Sequence, residues 1–116
     1  MVNSECLAID RHLFLVCVFL IMKLEEFKHS LILSSPPPTL TQHLKALWYD
    51  AKGNWEKSHQ IIQDIEDANA AWIHAYLHRK EGDVGNADYW YRRAGKKRAE
   101  LTLEQEWEMI TREIIH

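Results

Sequence analysis

Gly82-Asp83-Val84-Gly85-Asn86-Ala87-Asp88-Tyr89-Trp90-Tyr91-Arg92-Arg93-Ala94 is the stretch that decides the fold. Gly82-Asp83 closes one helix, because glycine tolerates the left-handed backbone that follows a helix end. Residues 85–94 form the next helix, and Gly95 stops it. Sliding the chain against itself by 29 residues aligns two helix pairs without a gap. Leu44 falls on Ile73, Ala46 on Ala75, Gly53 on Gly82, Asn54 on Asp83, Ser58 on Ala87, Ile62 on Tyr91 and Ile65 on Ala94. These positions make a helical hairpin. Ala46 and Ala75 are small where two helices approach, Gly53 and Gly82 make the turn, and Ser58 and Ala87 are small on the returning helix.

The flanking sequence extends the same pattern. Trp55, Ser58, Ile61, Ile62 and Ile65 predict a helix over roughly 55–66, and Asp67 or Asn69 caps another over about 70–81. Upstream, Thr39-Leu40-Thr41-Gln42 pairs an N-cap hydroxyl with a glutamine three residues on, which predicts a helix running to about Lys52. Ser34-Ser35-Pro36-Pro37-Pro38 is a stiff connector. Before it, Leu24, Phe27, Leu31 and Ile32 predict a short amphipathic helix over 24–33. At the other end Thr102 caps a last helix whose Leu103, Trp107, Ile110 and Ile114 share one face. Its Glu104, Glu106 and Glu108 lie near the positive end of the helix dipole. The expected fold is all-α: two repeated hairpins flanked by N- and C-terminal helices that cover the ends of the stack.

Composition agrees. The chain has 116 residues, 14 Lys+Arg against 17 Asp+Glu, and 47% hydrophobic residues. That is one domain with enough apolar content for a core. A net charge of -3 argues against a dedicated nucleic-acid binder, and two Cys exclude a disulfide scaffold. Four Gly and three Pro are too few for a turn-dense all-β fold.

Residues 1–21 stand apart from the domain at 22–116. Both cysteines, Cys6 and Cys17, lie there, and all five Trp lie after it. Residues 13–22 are an uninterrupted apolar run of ten, short of the ~20 that a membrane span needs. Met22-Lys23-Leu24-Glu25-Glu26-Phe27 reads as an ordinary cytosolic start, which makes 1–21 an extension from a misassigned upstream start. A short membrane or signal-like anchor and a buried strand or helix are the competing readings. The expectation is a cytoplasmic domain without firm membrane association.

The turn–helix stretch at 82–94 resembles tetratricopeptide-type repeats. It is similar to their Sel-like sub-class, which often has a Trp-Tyr pair before closing basic residues and Ala. The resemblance covers about residues 39–95. The spacing of 29 is shorter than the 34 of that family, Ser58 stands where Ala is usual, and no Pro follows Ala94. Residues 44–95 are also similar to a small bacterial family of unassigned function built around Trp72-Ile73-His74-Ala75-Tyr76-Leu77-His78-Arg79-Lys80-Glu81-Gly82-Asp83. The repeat resemblance implies a concave ligand surface on the first helix of each pair. Asn69, Trp72, Tyr76, Arg79 and Lys80 share that face, and two aromatics with two cations and an amide suit an acidic or carboxylate-ended peptide. The plainer reading packs Trp72 and Tyr76 on a neighbouring helix.

His74 and His78 lie four apart on one helix, with Glu81 on the same side. That spacing suits two ligands of a zinc-like ion, with a third from His59 or Asp88. No glutamate lies within the pair to make the H-E-x-x-H signature of a metalloprotease. The favoured reading is a pair of hydrogen-bonded histidines between helices; the alternative is a small metal-binding protein or metal-dependent enzyme. Arg92, Arg93, Lys96, Lys97 and Arg98 follow Tyr89-Trp90-Tyr91, a combination that could clamp single-stranded nucleic acid, but basic residues also suit a helix C-terminus. There is no P-loop, dinucleotide fingerprint, EF-hand or G-x-S-x-G context. The expected function is a non-enzymatic protein- or peptide-binding helical-repeat module without a cofactor. Its aromatic surface makes a second copy of the chain another candidate partner.

Overall fold

The computed structural model describes residues 23–115, and those residues contain helices and no strand. Helix α1, described over 23–29, runs into a 3-10 turn at Ser30–Ile32. Then come α2 (Gln42–Ala51), α3 (Trp55–Ile62), α4 (Ala68–Lys80), α5 (Val84–Ala94) and α6 (Leu103–Ile114). The expectations for residues 1–21 lie outside the described residues. Among the described residues no helix is long and apolar enough to cross a membrane.

Helices α2 to α6 each begin where a side chain satisfies a free N–H group. Asp67 accepts from the Ala70 N–H at the start of α4, and Asp83 from the Asn86 N–H at the start of α5. Thr102 and Gln105 form a reciprocal cap on α6. At α2 the cap is Thr41, not Thr39. The chain first makes a turn, with Leu40 N–H donating to the Pro37 carbonyl, so the helix starts two residues later. The helix expected over 24–33 breaks early as well: the Ser30 hydroxyl donates to the Phe27 carbonyl, and the backbone tightens before the prolines.

Helices α2 and α3 pack as one pair, α4 and α5 as another. Gly53 and Gly82 make the two turns at φ +84° and +88°, a region that side chains with a Cβ rarely enter. Ala46, Ala75, Ser58 and Ala87 are all fully buried. They occupy the close-approach positions that the 29-residue shift aligns. Ser58 adds a bond that Ala87 cannot make, its hydroxyl donating to the Ala46 carbonyl at 2.6 Å.

The place of α6 differs from the expectation. It packs against α2 and α4, the first helix of each pair, and so lies across the two pairs rather than over one end. Trp107 inserts between them, its indole N–H donating to the Leu47 carbonyl at 3.0 Å and its ring stacking on Phe27 of α1. Glu106, which reads in sequence as a solvated dipole partner, is fully buried. Its carboxylate receives Arg79 Nη1 at 2.7 Å and the Tyr91 hydroxyl at 2.6 Å, so the buried charge is paired and hydrogen-bonded. Burial, reinforced by the Glu106 carboxylate, pushes the Tyr91 phenol above its ordinary pKa.

Candidate functional site

The five residues of the expected ligand face are divided by α6. Asn69 is exposed on the first turn of α4. Trp72 is buried, with Lys96 Nζ 4.3 Å from its ring centroid. Arg79 donates to Glu106 and to the Leu101 carbonyl. Lys80 reaches Asp50 Oδ1 at 2.9 Å. Tyr76 is 2% exposed, and burial followed by the nearby Asp50 carboxylate raises its phenol above the ordinary range. Both cations on this face are therefore paired with carboxylates of the chain itself. Tyr76 and Lys80 still meet a common space, an open cleft of about 490 Å³. Leu31 and Trp107 provide its apolar lining, Asp50 lies within it, and Lys28, Glu104 and Glu108 add charges of both signs.

A second constellation lies on the other side of α4. His74 and His78, one turn apart, face His59 from α3. One ring nitrogen from each lies within 4.8 Å of the others. His59 Nε2 and His74 Nε2 share a hydrogen bond of 3.0 Å. His78 Nδ1 donates to Glu81 Oε1 at 2.7 Å, and the Asn86 amide donates to His78 Nε2 at 3.4 Å. Two indoles hold the rings from outside: Trp55 stacks on His59 with centroids 4.9 Å apart, and Trp90 stacks on His74 at 4.0 Å. Trp55 is itself anchored, its N–H donating to the Leu77 carbonyl at 2.8 Å.

Electrostatics keep two of these rings neutral. Burial, then the neighbouring His78 and His59, lowers the His74 pKa to about 4. Burial and His78 also lower His59, opposed by Glu81 and Glu56. Each neutral ring presents one donor and one acceptor. The cluster as a whole can hydrogen-bond, relay a proton or offer ring lone pairs to a cation.

The i,i+4 pair was legible in the sequence, and His59 was one of two candidates to join it. The other, Asp88, turns away to a two-point pair with Arg98 at 2.9 and 2.6 Å. The stacking of Trp90 on His74 was not legible, because it joins α5 to α4, whereas that of Trp55 on His59 follows i,i+4 spacing within α3. Glu106 did carry a signal, three residues after Leu103 and four before Ile110, on the buried stripe. The basic stretch after Trp90 is largely engaged internally: Arg93 lies over the Tyr89 and Trp90 rings, Lys96 over Trp72, and Arg98 on Asp88.

Compared with models of protein families, with curated proteins and with solved structures, the chain matches none of them significantly.

Proposed function

We propose that the protein is a small helical binding module that takes a short peptide in the cleft between α4 and α6. The observation that carries this reading is the meeting of Tyr76 and Lys80 with Trp107 and Asp50 in that cleft. Its size falls within the roughly 300–1,000 Å³ of ligand sites, and apolar walls with a few polar groups are their common lining. The resemblance to tetratricopeptide-type repeats implies ligand contact along the first helix of each pair, here α2 and α4; α6 covers much of that face, and Tyr76 and Lys80 are the part of it that still lines the cleft.

The charges of the cleft refine the ligand. Arg79 and Lys80 suggest an acidic peptide when read alone. With Arg79 on Glu106 and Lys80 on Asp50, the accessible rim carries both signs, and a peptide of mixed charge fits it better. Exposed Glu104 and half-exposed Lys28 sit where such a peptide would cross.

The test is selection from a random-peptide display library on the full chain, followed by calorimetry on the enriched sequences. Glu104→Lys and Lys28→Glu alter the exposed and half-exposed rim and leave the pair of Lys80 with buried Asp50 intact, and each should weaken binding about 10-fold or more. Failure to enrich any peptide, or affinities unchanged in both variants, would reject the cleft as the site.

A further inference from the structure

The cleft leaves the histidine cluster without a role. We propose that His59, His74 and His78 together bind one divalent transition-metal ion of the zinc class through their ring nitrogens.

The donor chemistry fits. Neutral imidazole is a favoured ligand for zinc, copper, nickel and iron. A tetrahedral ion at the usual zinc–nitrogen distance of about 2.0–2.1 Å sets its ligand nitrogens about 3.3 Å apart. His59 Nε2 and His74 Nε2 are already 3.0 Å apart, and all three donors lie within 4.8 Å. To reach that spacing the widest of the three separations closes by at most about 1.5 Å. The ion takes the place of the proton that His59 and His74 share.

The surroundings fit as well. Metal-bound histidines typically give their other ring N–H to a carboxylate or carbonyl, which sets the tautomer and aims the lone pair. Glu81 does this for His78 at Nδ1, leaving Nε2 as the lone-pair nitrogen. The long Asn86 contact to that nitrogen is the bond the ion would replace. Stacked Trp55 and Trp90 fix the planes of His59 and His74, so little side-chain freedom remains to be lost on binding. Glu81 and Glu56 both act on His59 in the sense that favours a positive charge there. Two of the donors are less than 10% exposed, His74 at 6% and His78 at 7%, so the site is built into the protein rather than spread on its surface. Three protein donors leave a fourth position for solvent, the pattern of an open zinc site.

A hydrogen-bonded core cluster without affinity for metal is the competing account, and titration separates the two. Full-length protein stripped with a chelator is titrated with Co2+ and then Zn2+. One equivalent of Co2+ should produce the intense visible bands of a four-coordinate ion, and Zn2+ should displace it. Long-range 15N spectra of the wild-type imidazoles should move for His59, His74 and His78 and for no other histidine. His59→Gln and His78→Gln should each weaken Zn2+ by at least about 100-fold, while the metal-free far-UV spectrum stays unchanged. Glu81→Gln should weaken it about 10- to 100-fold. The proposal is overturned if wild-type protein takes up no stoichiometric Co2+, Zn2+ or Cu2+. It is equally overturned if uptake leaves these three imidazoles unshifted, which would place the ion elsewhere in the chain. The wild-type spectra decide the matter even if a variant fails to fold.

Discussion

His74 shows how a buried imidazole makes the stability of the fold depend on acid pH. Its pKa falls from 6.5 to about 4 on folding because burial and two neighbouring imidazoles oppose its charge. Between those values the unfolded chain binds a proton that the folded chain does not, so stability is full above pH 6.5 and declines as the pH falls toward 4. The loss from this one group reaches about 3 kcal/mol. Urea unfolding at pH 7, 5.5 and 4.5 measures it, and His74→Asn should flatten that part of the profile. His78 and His59 act on the His74 ring, and Glu81 and Glu56 act in turn on His59, so the decline belongs to the cluster and not to His74 alone. From sequence the i,i+4 spacing was visible. The lowered affinity for protons was not, because it arises from α3 and from Trp90 closing over the ring.

Among the elements, the turns and caps were the most legible parts of the sequence. Gly-Asx pairs, acidic caps and small residues at the helix contact all obey local rules, and α4 and α5 start directly after Asp67 and Asp83, two residues and one residue ahead of the expected starts. The error at α2 has a local cause too, the extra turn that follows three prolines. Two glycines test this level. Gly82 has φ +88° and open space where a Cβ would go, so Gly82→Ala costs backbone strain alone, about 1–2 kcal/mol. Gly85 lies within α5, has no positive φ and also has open space. Gly85→Ala should therefore stabilise the protein, by about 0.5–1 kcal/mol. Paired thermal melts would read the two opposite signs.

For the molecule as a whole, the decisive element is α6. Periodicity shows which face of that helix is apolar but not which neighbours cover it, so its position across both pairs was not legible. That position converts a surface the repeat resemblance leaves open into a core, with Trp107 and Ile110 buried and Glu106 latching Arg79 and Tyr91. Ending the chain at residue 100 would strip the latch and expose Tyr76, Leu47 and Phe27. The truncated protein should lose its cooperative thermal transition and run as aggregates in size-exclusion chromatography. A monomer that still melts cooperatively would show that the two pairs suffice without α6.

The stacking of Trp55 on His59 and of Trp90 on His74 has an optical consequence. An excited indole is quenched by a protonated imidazole in face contact, and more strongly by an open-shell ion held a few ångströms away. These two rings therefore act as a built-in fluorescent gauge of the cluster. Among the described residues Trp48, Trp72 and Trp107 stack on no imidazole, and they supply the steady background against which a change in the other two is read.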